Sequence, residues 1–496
     1  MVDLLLSLLN RREERMVLLI NNLQKRGWVT LSELSKSLDL NERTIRNTIQ
    51  YMNELIAPCK IISSKKFGVQ LEIAIGYSRK FIYSKIMQNN LNFNMLELLF
   101  FEQVSSIEEL ADSLFSSTDV VRKAIATINQ SSDRKLRIDP KSFKIIGDER
   151  WITTFFRSFF LTRYNEELPF DSKVVTEIEL AVKEMYEKEH SPILPLNRNL
   201  FVLFVVIRFY RLKQDKNNRY SHKIPLKDYP DSAMGFNKRV SAIMRLDEVY
   251  DFYRDIWRPE KNAFFFFRLD EFQKYASTHA WVHKDYAYLS LLLRNIEERF
   301  KLTFDDREKF IFDLYNVCLQ ERYFISLFFD KVTEFNENIR TLMPFSYVML
   351  KDIIQFAPNP FFFKDRQQGL YNILSAWDGF MEDGLKAQPK LKIAMHSKYN
   401  NLTFHNNFFL LNSYFQWEFE ITLFFKDIEM VKSEIEENFD LLITDIEGSP
   451  LQIDCFCFPY NVTTHELELL KKYYRDKIFK SLDKSINERL EGAERN

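Results

Sequence analysis

The sequence predicts a multidomain, mainly α-helical chain with a duplicated front, two all-α helical bundles and a small C-terminal α/β domain built on a parallel sheet. Three observations carry that reading. Residues 31–52 and 107–128 repeat one apolar pattern at a constant offset of 76. From about 151 to 390 the chain runs in long helical patterns with few glycines and short polar breaks, and beyond 391 short apolar runs alternate with helical stretches. At 496 residues the chain is too long for a single core. Residues 1–76 and 77–150 hold the two copies, 151–170 a connector, 171–284 and 285–390 the two bundles, and 391–496 the α/β domain.

In the first copy Leu31, Leu34 and Leu38 share one face of a short helix that Thr30 caps, with Glu33 completing a capping box. Asn41 caps a second helix in which Ile45, Ile49 and Met52 form the buried stripe. Its other face carries Arg43, Arg46, Asn47 and Gln50 at i, i+3, i+4 and i+7, side-chain types that hydrogen-bond phosphates and the edges of guanine and adenine. Residues 59–63 and 69–73 alternate like strands around a tip holding Lys65 and Lys66. This is the layout of a winged helix-turn-helix, which lays its second helix in the DNA major groove. Arg43, Thr44, Arg46, Asn47, Gln50, Lys65 and Lys66 are its candidate DNA contacts.

In the second copy Ile107, Leu110, Leu114, Val121, Ile125 and Ile128 take the same places, with a cap at Ser117 or Thr118 and a wing over 136–146. Arg122, Lys123 and Lys141 are its candidate contacts. Asp119 and Ala126 stand where the first copy has Arg43 and Gln50, so this surface holds fewer base-reading groups and the first copy is expected to grip DNA more tightly. Leucine-spaced helix pairs also serve as plain packing modules. Duplication with Arg46 and Arg122 in register, plus two lysine-bearing hairpins, favours DNA.

A formal net charge of −1 means that nothing global attracts nucleic acid, but its distribution is uneven. Residues 1–147 hold 21 Lys and Arg against 16 Asp and Glu, whereas residues 391–496 hold 12 against 18. Cys59, Cys318, Cys455 and Cys457 are too few and scattered for a disulfide framework, and the spacing of Cys455 and Cys457 fits neither a redox pair nor a zinc knuckle. A reducing cytoplasm is the expected compartment, with no metal, no cofactor and no membrane-spanning segment. The aromatic runs 264–267 and 361–363 are expected in cores or interfaces.

The middle segment contains a weaker repeat in which Leu194, Asn197, Arg198, Phe201 and Leu203 resemble Leu302, Asp306, Arg307, Phe310 and Phe312, suggesting two bundles of one kind. In the tail, runs at 391–395, 419–425, 439–444 and 452–458 alternate with helices and a closing helix begins at Thr463, the pattern of a small parallel sheet. Ligands of such sheets gather at the C-terminal strand ends, here near His396, Asp445 and Pro459.

Two winged helices, two bundles and an α/β tail in this order resemble the Mga and AtxA group of Gram-positive virulence regulators over nearly the whole chain. The resemblance implies a global transcription regulator whose bundles sense the sugar phosphotransferase system through histidine phosphorylation. It further implies a tail like the IIB component of that system, association into a homodimer or larger homo-oligomer through the C-terminal parts, and a choice of long AT-rich or bent DNA by shape as much as by bases. The chain departs from that pattern in places. Histidines for phosphotransfer are His190, His222, His279 and His283 in the first bundle, while residues 284–395 contain none, and Asn197 and Asn199 stand where a histidine is usual. His279 and His283 are spaced i, i+4, as if on one helix. After the tail's first strand come His396, Ser397 and Lys398 with no cysteine or glycine, so His396 is the remaining acceptor there and a docking or dimerisation surface is the better reading. The competing function, a phosphocarrier of the sugar uptake system with passive front domains, lacks a glycine-rich phosphate loop and that cysteine. An enzyme is therefore not expected.

Overall fold

The computed structural model describes residues 8–24, 27–131, 135–164, 167–188, 195–214, 231–245, 266, 268–322, 327–328, 330–355, 365–398, 402–448, 451–458 and 461–493. They fall into two compact units: residues 1–281 with 319–330, and residues 282–318 with 331–496.

The first unit opens with α1 (Arg11–Gln24), α2 (Leu31–Leu38) and α3 (Glu42–Leu55), then the hairpin β1 (Lys60–Ser64) and β2 (Gly68–Glu72). After α4 (Arg79–Gln88) and α5 (Leu91–Phe100) the pattern returns as α6 (Ile107–Ser113), α7 (Thr118–Ser131), β3 (Leu136–Ile138) and β4 (Ile145–Gly147). Both hairpins are antiparallel, with Ser64 opposite Gly68 in one and Ile138 opposite Ile145 in the other.

The two copies share local chemistry as well as pattern. Thr30 accepts from the Glu33 amide and the Glu33 carboxylate accepts from Thr30 N, while 76 residues on Ser106 accepts from the Glu109 amide. Asn41 caps α3 at the Thr44 amide, 2.8 Å away, and Ser117 caps α7 at the Val120 amide. The turn between the paired helices passes through a left-handed residue at Asp39 (φ 52°) and again at Phe115 (φ 49°). Asn53, on α3, donates to the Ile61 carbonyl and accepts its N–H at 2.7 Å; Asn129, on α7, does the same with Ile138. Each recognition helix is thus clamped to its wing by an amide that satisfies both backbone groups of one strand residue.

The core of this unit is aromatic. α8 (Glu149–Arg163) buries Phe155, Phe156, Phe159 and Phe160, which meet Phe93 and Phe100 of α5. Arg163 ends α8 by pairing with Glu97 and donating to the Met87 carbonyl and Asn94. The first bundle continues through α9 (Ser172–Lys188), α10 (Pro195–Gln214), α11 (Asp231–Ile243) and α12 (Leu269–Thr278). Glu149, at the start of α8, accepts from Arg208 and Arg211 of α10, and Arg211 also donates to the Ile145 carbonyl of the second wing at 2.7 Å. All three side chains are largely buried.

A short segment from much later in the chain completes the unit. Phe328 is buried, stacks on Tyr83 of α4 with centroids 5.2 Å apart, meets Phe93 edge-on and accepts from Asn21 of α1 through its carbonyl. The other end of the Asn21 amide accepts from the Tyr83 hydroxyl at 2.5 Å.

Residues 280–300 form α13 (Ala280–Phe300), followed by α14 (Arg307–Arg322), α15 (Lys331–Leu342), α16 (Pro344–Gln355), α17 (Arg366–Ala376) and α18 (Phe380–Lys386). Within the second unit Arg299 pairs with buried Asp352, and Arg307 with Glu297. The expected parallel sheet follows. β5 (Leu391–His396), β6 (Phe419–Phe424), β7 (Leu441–Thr444) and β8 (Asp454–Cys457) lie in the order β6-β5-β7-β8, all neighbours parallel. α19 (Leu402–Tyr414), α20 (Ile428–Asn438) and the closing α21 (Thr464–Ala493) complete the domain. β5 and β7 are buried along nearly their whole length, as central strands of a covered parallel sheet must be.

One sequence expectation fails here. His279 and His283 do not share a helix: α12 stops at Thr278, and His279 caps it in an extended conformation with its ring stacked on Tyr275 at 4.5 Å. Helical periodicity continues across this break because α13 starts at the next residue, so spacing alone hides it.

Candidate nucleic-acid interface

α3 divides cleanly into two faces. Ile45, Thr48, Ile49 and Met52 are buried, and Arg43, Arg46, Asn47 and Gln50 are exposed on the opposite side. Thr44 is half-buried, with its amide occupied by the Asn41 cap and its carbonyl by the Thr48 hydroxyl. Arg46 meets Glu42 at 3.6 Å with both side chains mostly in solvent, a pair too weak to withhold the guanidinium from another anion. Lys65 and Lys66 stand exposed at the tip of the first wing. Five helix residues and two wing lysines are therefore carried by elements that the Asn53 clamp holds together.

The tip itself is fixed by three devices. Ser64 Oγ accepts the N–H groups of Lys66 and Phe67, each at 3.3 Å. Gly68 has φ 95°, and a Cβ there would lie 2.1 Å from the Val29 carbonyl oxygen, so only glycine fits where β2 meets the Val29 backbone ahead of α2. Val29 and Val69 exchange backbone hydrogen bonds of 2.9 and 2.8 Å there.

The second copy brings Arg122, Lys123 and Lys141 to the surface as well. Arg122 lies 3.2 Å from Asp119 of the same helix. At the second wing the Ser142 hydroxyl and the Lys141 and Ser142 amides hold the Asp139 carboxyl below the usual carboxylate range. A carboxylate thus sits beside Lys141, and Asp119 and Ala126 replace Arg43 and Gln50, so this surface presents fewer groups to phosphate and bases than the first.

The histidines expected to take phosphate divide differently. His190 and His222 lie outside the described residues. His279 and His283 are exposed. His396, at the end of β5, is 3% exposed, and its Nε2 donates to the Lys426 carbonyl at 3.0 Å, which leaves Nδ1 buried and unpartnered. Beside it the Asp445 carboxylate accepts from Ser397 Oγ (2.5 Å) and the Lys398 amide (2.9 Å). A carboxylate thus sits between the ends of β5 and β7, the place where a parallel sheet of this order binds an anion. Among the described residues no cluster of histidine, cysteine and carboxylate side chains is suited to a metal, and no helix is long and apolar enough to cross a membrane.

The asparagine clamps, Gly68 and the left-handed turn residues were not singled out from sequence, although the offset of 76 pairs Asn53 with Asn129 and Asp39 with Phe115.

Comparison with known proteins agrees with this geometry. Residues 76–160 match the Mga helix-turn-helix domain, and residues 12–70 match the HTH domain family. A putative trans-acting regulator of Streptococcus pneumoniae is 20% identical over 487 residues, covering 93% of this chain and 97% of that protein. The capsule synthesis positive regulator AcpA of Bacillus anthracis is 24% identical over 60% of this chain and 63% of its own length. The anthrax toxin expression trans-acting positive regulator of the same organism is 29% identical over 32% of this chain and 34% of its own. The front of this chain thus carries two helix-turn-helix domains, the kind of unit that binds DNA, and the proteins it resembles along its length are named as regulators.

Proposed function

We propose that the chain binds long AT-rich or bendable promoter DNA through both winged helices, with the first copy dominant. The observation that carries this is the exposed Arg43, Arg46, Asn47 and Gln50 face of α3, clamped to a wing that ends in Lys65 and Lys66. The arginines and amides enter a major groove, the wing lysines sit on neighbouring phosphate, and Arg122, Lys123 and Lys141 hold an adjacent patch. Anisotropy titrations of the full chain at several salt concentrations test this. Lys66→Ala is expected to weaken binding on every sequence alike and to flatten the dependence of log K on log salt by about one unit. An unchanged slope removes Lys66 from the phosphate contacts.

The same reading assigns the rear domains to association and sensing. A second copy covers the outer side of α19, where Leu402, Phe409 and Leu410 are exposed on a helix whose inner face buries Phe404 and Leu411. Phe409→Ser with Leu410→Ser is expected to shift sedimentation equilibrium toward monomer while leaving thermal unfolding unchanged; an unaltered oligomer rules out this face. Phosphotransferase-system control, where it operates, acts through the first bundle's histidines. His396 is a structural residue in this reading, because its ring is buried and a carboxylate holds the adjacent anion position.

A further inference from the structure

We propose that the tip of the first wing is a wedge that enters the minor groove and bends the DNA, with Phe67 as its apolar edge and Trp28 as its backing. The proposal rests on the DNA-binding reading above and names how that site would deform its ligand. Phe67 is 52% exposed and Trp28 40% exposed, and their rings meet at 5.9 Å. An aromatic pair left in water at a hairpin tip contributes little to the fold. The tip is nonetheless rigid: Ser64 fixes its backbone, Gly68 locks it against Val29, and Trp28 directly precedes Val29.

Charge decides what such an edge meets. Lys65 and Lys66 directly precede it in the tip, neither has a carboxylate partner among the described residues, and the Lys66 ammonium lies 5.2 Å from the Phe67 ring centroid. An apolar side chain carried beside cations is the combination by which minor-groove proteins unstack a base step while the cations hold neighbouring phosphate. The second wing lacks it. There Phe143 is half-buried against the core of the unit and the tip carries the ionised Asp139. The wedge is therefore a property of the first copy alone.

Competition between a linear duplex and a minicircle of the same AT-rich sequence tests the wedge in the full-length protein. A protein that bends DNA binds the pre-bent circle more tightly, since the deformation is already made. The unsubstituted chain is expected to prefer the circle by about 10-fold or more, and Phe67→Ala to bind both within about twofold of each other with an unchanged salt slope. Lys65→Ala with Lys66→Ala should do the reverse, lowering the slope and keeping the preference. Phe67→Ala that still prefers the circle overturns the wedge and leaves the aromatic pair to a protein partner, with DNA binding itself intact. Failure of the unsubstituted chain to bind either DNA removes the DNA-binding reading and the wedge with it. Because Phe67 is half in water, its removal leaves the fold in place, and circular dichroism verifies that.

Discussion

Replacing Arg43 and Arg46 together by alanine is expected to weaken binding to an AT-rich duplex by about 2–4 kcal/mol, roughly 30- to 700-fold. Arginine reads guanine edges and phosphate bidentately, and each such contact is worth about 1–3 kcal/mol. Neither residue contributes to the core of its unit: both lie on the solvent side of α3, and the contact of Arg46 with Glu42 is solvent-exposed. Stability should stay within about 0.5 kcal/mol of the parent, so that the loss is one of binding alone. Arg122→Ala with Lys123→Ala is the internal comparison. Because Asp119 and Ala126 stand there in place of Arg43 and Gln50, that face has fewer contacts to lose and its effect is expected to be smaller, on the order of 5- to 20-fold. Anisotropy at fixed salt measures both, and equal affinities for parent and Arg43/Arg46 variant would falsify α3 as the reading helix.

Glu149→Ala is expected to be the most destabilising of the substitutions considered, by about 3–5 kcal/mol. The Glu149 carboxylate is shared by two guanidinium groups, with Arg208 Nη1 at 3.0 Å and Arg211 Nε at 3.2 Å, and both arginine side chains are only 6% exposed. Removing it strands two buried cations. Substituting all three by apolar residues of similar volume should cost far less, because no charge is then left unpaired. Thermal unfolding of the full chain reads the difference, and a Glu149→Ala transition within a degree of the parent would show the cluster to be hydrated. The expected effect reaches the interface too. Arg211 also holds the Ile145 carbonyl, so loosening it frees the second wing, and the contribution of Lys141 to binding should fall even where the chain remains folded.

The front of this molecule was legible because local rules decide it. Caps at Thr30, Asn41 and Ser117, the apolar stripes of α3 and α7 and the two wings are all written within short windows, and the repeat doubles each signal. The parallel order β6-β5-β7-β8 was not deducible, but strands alternating with helices restrict a small sheet to parallel pairing. What escaped depends on tertiary contact. The Asn53 clamp joins residues eight apart across a turn, and the close approach of Gly68 to Val29 involves a backbone segment two helices earlier in the chain. The break between α12 and α13 is hidden by continuous periodicity. His396 was rightly placed at a strand end, whereas its burial follows from where the Lys426 carbonyl and the β5 neighbours lie, which no spacing encodes. The docking of Phe328 among Tyr83 and Phe93 has no local signature at all.

That last contact ties the completion of the front's core to a residue synthesised long after it. Asn21 and Phe328 are separated by 307 residues. At about 5–20 residues per second, roughly 15–60 s pass between the emergence of the first helix and the arrival of its last core residue. The caps, clamps and wings of the helix-turn-helix units need only residues made early in that interval, whereas the joint between α1, α4 and α5 needs Phe328. A chain that ends after α8 but before residue 328 is therefore expected to leave the rings of Tyr83 and Phe93 without their Phe328 partner.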